Sequence, residues 1–337
     1  MRARRVLLVA LFIAAVTATS GCASAAEPPK IRVGWVVTPY EFVPILFEPP
    51  GVARHLGQSY AFEPVHFGSS SPMITALASG DLDVTPLTFF TVAAAIQNAH
   101  MDDLRIIADE YRDGTEGYFS GPFVVAKGSA ITSVADLKGK VVASFGLGSS
   151  GDIVIRSMLR RNGLEDKRDY TDIEGSPQNL IPMLSQGKVD LINLSGITAH
   201  DPKVVAQTRA LFTQKDVFGP TEVGVFVARQ GFLSKNRPAV VDFLEDMLRA
   251  MRWYADSKNH AEAVRVVAQF TKQPEANFES WLFTKDDMYR DPAGIPDAEG
   301  LQRPIDAAKE FGFLKNDLIV KNYIDLGYVK EAASRLR

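Results

Sequence analysis

Apolar and polar positions follow a pattern that occurs twice along this chain. Residues 68–87 read GSSSPMITALASGDLDVTPL and residues 175–194 read GSPQNLIPMLSQGKVDLINL, and the two segments align without a gap. In each segment a strand-like run precedes a glycine with small polar residues, an amphipathic helix that ends at Gly80 or Gly187, and a short apolar strand. This unit of strand, loop, helix and strand builds parallel sheets. The pattern therefore predicts two related α/β halves.

The loops that open the two helices are candidates for binding a ligand. In such a unit the ligand binds beyond the carboxyl ends of the strands, where amides at a helix N-terminus attract an anion or a polar head group. Serine at these positions also caps a helix without any ligand, and for one copy alone that explanation is preferred. The pairing of two copies favours a cleft between the halves.

The remaining pattern predicts two crossings between the halves. Glycines and aromatic residues over 114–123 indicate the first crossing, and the run EVGVFVAR at 222–229 indicates the second. Helical periodicity then predicts C-terminal helices that cover the first half, over residues 238–257, 261–271, 276–283, 299–311 and 319–336.

The N-terminal segment is typical of an export signal. Basic residues precede the apolar run 6–16, which is too short to span a bilayer as a helix. Residues 19–22 (TSGC) are similar to a bacterial lipobox, in which Cys22 would carry a lipid, whereas residues 23–26 suit an ordinary signal peptidase. We expect a periplasmic or other extracytoplasmic location, with the lipid on Cys22 as the only membrane anchor.

Composition excludes several classes of function. Cys22 is the only cysteine, so the mature fold can hold no disulfide, thiol nucleophile or thiolate metal site. The formal net charge of −3 argues against binding to nucleic acid as the function of an exported chain of this kind. The histidines lack ligand-like spacing. We therefore predict no catalytic residues, no metal site and no cofactor.

One motif favours a dinucleotide-binding enzyme instead. Residues 146–151 (GLGSSG) match the G-x-G-x-x-G fingerprint between a predicted strand and a predicted helix. The next acidic candidate, Glu174, lies farther on than the fingerprint's distance of about 20 residues. Nicotinamide cofactors are also not expected for an exported protein. We interpret the motif as a glycine turn that presents helix amides and the hydroxyls of Ser149 and Ser150 to a small anion.

Several segments together resemble the solute-binding proteins of ABC importers, within the nitrate, sulfonate and taurine-type group. They are IRVGWVV, GSSSPMITALASGDLDV, DLKGKVVASFGLGSSGDIVIRSMLRRNGL and LIPMLSQGKVDL. The resemblance implies an α/β, type II periplasmic-binding-protein fold, with two lobes that are each a mostly parallel sheet flanked by helices. After a signal peptide over 1–22 and a tether over 23–30, we expect the first lobe over 31–120 and 223–337 and the second over 121–222.

The resemblance also implies a set of ligand-binding residues, to which the strand-end aromatic Trp35 is added. In the first lobe they are Thr38, Tyr40, Ser69, Ser70, Ser71, Thr88 and Phe89. In the second lobe they are Ser149, Ser150, Ser176, Gln178, Ser195 and Gly196, and near the crossings they are Tyr118, Ser120 and Glu222.

These loops are rich in hydroxyls and amides and contain no arginine. Helix ends and hydroxyls can satisfy an anion without a cation, so the sequence predicts a small organic anion, a sulfonate or carboxylate with an apolar or aromatic body. The bulky segment 85–90 (TPLTFF) departs from the family's more glycine-rich loop and argues against simple taurine or nitrate.

The predicted function is the solute-binding component of an ABC importer, a monomer that delivers its ligand to a membrane permease with a cytoplasmic ATPase. A ligand-sensing partner of a membrane receptor would use the same fold. Some relatives of this fold make a thiamine pyrimidine precursor, but that chemistry is associated with a cysteine-rich motif that this chain lacks.

Overall fold

A computed structural model describes residues 27–194 and 196–336 of the chain. The predicted signal peptide, the predicted lipidation site at Cys22 and the candidate binding residue Ser195 lie outside the described residues. Among the helices in those two ranges, none combines the length and the apolar character that a membrane span requires.

Strands and helices alternate along most of the chain. The strands are β1 Lys30–Trp35, β2 Ala61–His66, β3 Val84–Thr88, β4 Leu104–Asp113, β5 Pro122–Ala126, β6 Val141–Ser144, β7 Thr171–Glu174, β8 Leu191–Asn193, β9 Thr208–Thr213 and β10 Thr221–Arg229. The helices are α1 Ser70–Ser79, α2 Phe89–Gln97, α3 Ser150–Arg161, α4 Pro177–Ser185, α5 Gly196–His200, α6 Pro202–Gln207, α7 Gln214–Phe218, α8 Gln230–Lys235, α9 Arg237–Ala255, α10 His260–Thr271, α11 Ala298–Glu310 and α12 Gly327–Arg335.

The strands form two mixed sheets with equivalent topology. The first has the order β2-β1-β3-β10-β4 and the second has the order β7-β6-β8-β5-β9. In the first sheet β1 is parallel to β2 and β3, while β10 runs antiparallel to β3 and β4. In the second sheet β6 is parallel to β7 and β8, while β5 runs antiparallel to β8 and β9. Each sheet flanked by helices therefore has one reversed strand, and the α/β class is confirmed.

The repeated sequence forms the same unit in both sheets. The first copy gives β2, α1 and β3, and the second gives β7, α4 and β8. Gly80 and Gly187 have φ angles of +82° and +67°, a left-handed conformation that glycine adopts at little cost. The two glycines thus turn the chain from helix into strand, as the pattern predicts.

The chain passes between the two sheets twice. The first passage is residues 114–121, between β4 and β5, and the second is residues 214–220, which contain α7. The run 222–229, predicted as the return crossing, instead lies inside the first sheet as part of β10. Both of its edges are paired there, to β3 and to β4. A continuous apolar run is typical of such a fully buried strand.

The C-terminal helices cover the first sheet. Side chains of α9 such as Val240 and Leu244 share a buried cluster with Ile31 and Val33 of β1. Helix α11 contributes Leu301 to another cluster, which also contains residues of both α2 and α3. The halves are therefore also in contact through α11, apart from the two crossings.

Two predicted C-terminal helices differ from the structure. The helix predicted over 276–283 is instead a short 3₁₀ turn at Glu275–Asn277 followed by further turns. The prediction is wrong because the buried residues Phe278, Trp281 and Leu282 have helical spacing although they lie in turns. The helix predicted over 319–336 is interrupted after the 3₁₀ turn Val320–Tyr323 and resumes as α12. At the interruption the Asp325 amide donates to the Ile106 carbonyl of β4, 2.9 Å away.

Candidate ligand-binding site

A cavity of about 330 Å³ lies between the two halves. The first half lines it from the β1 loop, α1, α2, β4 and β10, and the second half lines it from β5, α3, β8 and α7. Five of the predicted residues line this cavity: Tyr40, Ser70, Thr88, Ser149 and Ser150. The structure thus brings together residues from both halves, as a cleft requires.

Three helices of nine residues or more begin at this cavity, as does the short helix α7. Helix α1 begins at Ser70, α2 begins after Thr88, and α3 begins at Ser150, each at the end of a sheet strand or its loop. Ser149 caps α3, since its Oγ accepts a hydrogen bond from the Asp152 amide at 3.3 Å. The remaining first-turn amides of these helices give this side of the cavity a positive electrostatic potential. The arrangement suits an anionic or polar group on a ligand.

The glycines of residues 146–151 serve the packing of this site. A Cβ at Gly151 would lie 3.1 Å from the side-chain amide nitrogen of Asn193, and a Cβ at Gly148 would lie 3.3 Å from the Phe313 ring. Gly148 also has a φ angle of +80°. The motif therefore allows α3 to approach β8 closely and allows Phe313 to pack against the turn.

Two carboxyl groups of the described residues line the cavity, and neither is among the ligand-binding residues predicted from the sequence. Glu41 accepts hydrogen bonds from the backbone amides of Val36 and Val37. Burial raises the pKa of Glu41 to about 7. Asp113, at the end of β4, accepts from the Ser120 hydroxyl at 2.5 Å and from the Gly121 amide at 2.7 Å.

Burial likewise raises the pKa of Asp113 to about 7. Glu110 lies on the same strand and is also buried. Burial, followed by the nearby charge of Glu41, raises the pKa of Glu110 well above its ordinary value. With pKa values of about 7, Glu41 and Asp113 are each partly protonated near neutral pH. Among the described residues that line the cavity there is no arginine or lysine.

Aromatic rings form much of the apolar wall. The lining contains Tyr40, Phe90, Tyr111, Phe123 and Phe145. The rings of Tyr40 and Tyr111 have centroids 5.8 Å apart. Together the rings can enclose an apolar or aromatic body, or stabilise a cation over their faces.

Two buried amide side chains line the cavity without hydrogen-bond partners. They are Asn193, at the end of β8, and Gln214, the first residue of α7, and each side chain is only 8% exposed. The atoms without partners are Asn193 Oδ1 and Gln214 Nε2. A buried polar atom left unsatisfied costs about 1 to 3 kcal/mol. A ligand that bonds to these atoms would remove that cost.

Glu222 does not line the cavity. Its side chain is fully buried in β10, where Oε2 accepts from Arg112 Nε at 2.9 Å and from the Asp297 amide at 2.6 Å. Burial, followed by the charge of Asp109, raises the pKa of Glu222 well above its ordinary value. Glu222 belongs to a buried ionic network that joins the strands of the first sheet to the segment before α11.

The other predicted aromatic residues pack elsewhere. Phe89 is fully buried in the core behind the start of α2. Trp35 packs against His66, with ring centroids 4.3 Å apart. Tyr118 packs against Tyr289 at 5.0 Å and lines a neighbouring cavity of about 260 Å³.

The remaining predicted polar residues support the site or face solvent. Thr38 is buried and donates to the Glu41 carbonyl at 3.1 Å, and Ser120 positions Asp113. A larger set is exposed and does not line the cavity; it consists of Ser69, Ser71, Ser176 and Gln178. Gly196 lies at the cavity's edge, because a Cβ there would be 2.6 Å from the Tyr40 ring.

One cluster outside the cavity contains potential metal ligands. Ligand atoms of His55, Asp242 and Glu245 lie within 4.8 Å of one another. Arg335 pairs with Asp242 at 2.7 Å and Arg249 pairs with Glu245 at 2.5 Å, so both carboxylates already have cationic partners. The cluster is therefore explained as an ionic network.

The fold is that of the periplasmic binding proteins. The chain is similar to the alkanesulfonate-binding protein SsuA from Xanthomonas axonopodis pv. citri bound to MOPS, with 21% identity over 90% of this chain and 100% of that chain and a TM-score of 0.69. It is similar to the periplasmic aliphatic sulphonate binding protein SsuA from Escherichia coli, with 20% identity over 89% and 92% of the two chains and a TM-score of 0.73. For the periplasmic nitrate-binding protein NrtA from Synechocystis PCC 6803 the identity is 15% over 92% and 90%, with a TM-score of 0.70.

At the level of sequence, residues 117–261 match the family described as NMT1/THI5 like. No curated protein sequence matches the chain. The predicted fold class is confirmed by these likenesses, and so is the resemblance to sulfonate- and nitrate-binding proteins. At such identities the solved structures establish a shared fold, and the ligand has to be argued from the cavity itself.

Proposed function

We propose that this protein is the extracytoplasmic solute-binding component of an ABC importer, which captures a small organic solute in the cavity and delivers it to a membrane permease. The observation that carries the proposal is that residues of both halves line the cavity. Within the described residues the chain passes between these halves only twice. The structurally similar proteins named above are described as binding proteins, which supports binding rather than catalysis as the role.

Binding in this arrangement favours a closed state. A ligand that touches residues of both halves, such as Thr88 and Ser150, makes contacts that are lost when the halves separate. The two crossings contain glycines with positive φ, Gly114 at +68°, Gly117 at +77° and Gly219 at +70°. These positions can absorb the backbone rotation that closure requires.

The expected location and partners follow from this role. The protein would act outside the cytoplasm, as a monomer, free or attached through a lipid on Cys22. Its partners would be a membrane permease and the cytoplasmic ATPase of the same importer. An anionic group on the ligand, which the sequence predicts, is supported by the three helix N-termini at the cavity. The aromatic wall supports an apolar or aromatic body.

A thermal-shift screen of the exported protein tests binding. The panel contains sulfonates, aliphatic and aromatic carboxylates, nitrate, amino acids, amines and pyrimidines. A ligand at about 100 times its Kd adds about 2.7 kcal/mol to the free energy of unfolding, which corresponds to a shift of about 5 °C in Tm. We expect at least one class to give such a shift.

The variant Ser150→Trp tests whether the ligand binds in the cavity. Ser150 lines the cavity, so the indole should fill it and abolish the shift, whereas Ser71→Trp, at an exposed position on α1, should leave the shift intact. Circular dichroism of both variants checks that the fold is retained. A full ligand-induced shift in folded Ser150→Trp would contradict binding at this cavity.

A further inference from the structure

The carboxyl groups that line the cavity are not accounted for by an anionic ligand. Glu41 and Asp113 are among the lining residues, and no arginine or lysine lines the cavity within the described part of the chain. Arg290 is a cation near these carboxyl groups. Its charge lowers the pKa of Glu110, whereas the charge of Glu41 raises it. The Arg290 guanidinium does not line the cavity; it is paired with Asp287 at 3.2 Å, lies 4.3 Å from the Phe42 ring and donates to the Tyr40 carbonyl at 3.4 Å.

A second, independent observation also points to a hydrogen-bond donor on the ligand. Asn193 Oδ1 lies in the wall opposite the first half, and it is a buried acceptor without a partner. Helix α3 packs against this amide through Gly151, which limits its freedom to rotate away. A buried acceptor in this position is satisfied only when a ligand supplies a donor.

We infer that the ligand carries a protonated amine, for which Glu41 and Asn193 provide acceptors and the aromatic rings provide the surrounding wall. The inference rests on the proposed function and narrows its substrate class. An ammonium group can donate three hydrogen bonds and can also lie over the faces of rings such as Tyr40 and Phe90. The helix N-termini that line the cavity remain available for an anionic or polar group of the same ligand.

The sign of the pH dependence separates this ligand from an anion. An ammonium group binds the ionised form of Glu41, whose pKa is about 7 because of burial. The amine should therefore bind about tenfold more tightly at pH 8 than at pH 6. An anion held by the protonated carboxyl would bind more weakly at pH 8. The titratable or charged groups near Glu41 are Tyr40, Arg290 and, on β4, Asp109, Glu110, Tyr111 and Asp113. No histidine lines the cavity within the described residues.

The test uses a matched set of ligands that share one body, namely 2-phenylethylamine, phenylalanine and 3-phenylpropionate, with the corresponding cyclohexyl and linear alkyl sets. Isothermal titration calorimetry of the exported protein at pH 6 and pH 8 gives the affinity of each member. We expect the amine-bearing members to bind at least tenfold more tightly than the acid of the same set at pH 8, and to weaken at pH 6.

The variant Glu41→Gln keeps an acceptor oxygen for the Val36 amide and removes the charge. It should weaken the amine members by about tenfold or more at pH 8 and reduce their pH dependence, of which Asp113 would retain a part. Glu279→Gln, at an exposed position outside the cavity, is the matched control and should change neither.

The binding results distinguish failure of the amine inference from failure of the solute-binding role. Tighter binding of the acid members, or unchanged amine affinity in folded Glu41→Gln, would overturn the inference and leave the solute-binding role standing. The absence of binding by every member of the sets and of the broader screen would overturn both.

Discussion

At the scale of single residues, the site separates into groups that sequence reasoning can find and groups that it cannot. Ser70, Thr88, Ser149 and Ser150 follow strand-like runs and begin helices, so pattern alone places them at strand ends. Other lining residues, such as Gln214, lie where the chain crosses between the halves. Whether such a side chain faces the cavity depends on the packing of the opposite half, which a local pattern does not contain.

Glu222 is another residue whose environment depends on packing that a local pattern does not contain. From the sequence it is a polar residue near a crossing, whereas the structure buries it beside Arg112 and Asp109. A buried carboxylate keeps its place only if a charged partner and hydrogen bonds compensate for lost hydration. Arg112 provides this compensation, since its Nε lies 3.0 Å from Asp109 Oδ1 and 2.9 Å from Glu222 Oε2.

We predict that Arg112→Met destabilises the protein by about 3 to 5 kcal/mol, because it leaves two buried carboxyl groups without their cation. The matched control is Arg229→Met. Arg229 pairs with Asp103 at a position where both side chains are 40% exposed, so its loss should cost about 1 kcal/mol or less. Urea unfolding measures both. Equal costs for the two variants would show that burial of the network does not determine its contribution.

At the scale of elements, the repeat predicts most of the architecture. Its two copies give equivalent strand, helix and strand units, and its glycines end the helices where expected. The errors arise where an apolar run has more than one solution. The run 222–229 is as compatible with an interior strand as with a crossing, and the spacing of Phe278, Trp281 and Leu282 arises in turns as well as in a helix.

We predict that Gly80→Ala destabilises the protein by about 1 kcal/mol. Gly80 has a φ angle of +82° with open space around its Cα, so the cost is backbone strain and not a clash. Gly231, inside α8, also has open space but no positive φ. Gly231→Ala should therefore be neutral or stabilising by up to about 1 kcal/mol, through helix propensity. Thermal unfolding of both variants measures the difference in stability. A destabilising Gly231→Ala with a neutral Gly80→Ala would contradict the assignment of the cost to the positive φ angle of Gly80.

At the scale of the whole molecule, the described residues bring the halves into contact at several places besides the crossings, and His200 of the second half, for example, stacks on Trp281 of the first. Tyr40 of the first half lies against Gly196 of the second, Phe313 lies against Gly148, and α11 packs with α3. Burial in the assembled fold raises the pKa values of Glu41 and Asp113. The assembled fold, and no single element, therefore determines how the site responds to pH.

We predict that the ligand-free protein is more stable at pH 5 than at pH 8. Burial raises the pKa of Glu41 from 4.5 to about 7 and that of Asp113 from 3.8 to about 7, so between these values the native state binds more protons than the unfolded chain. The free energy of unfolding contributed by these groups is therefore present at low pH and is lost as the pH rises through 7.

The loss should amount to a few kcal/mol, since each unit of pKa corresponds to about 1.4 kcal/mol. Thermal unfolding across this range measures it. Glu41→Gln cannot titrate at this position, so its Tm should fall less between pH 5 and pH 8 than that of the wild type, while Glu279→Gln should retain the full difference. If Glu41→Gln shows the wild-type fall in Tm, the enclosed carboxyl group is not the source of the pH dependence.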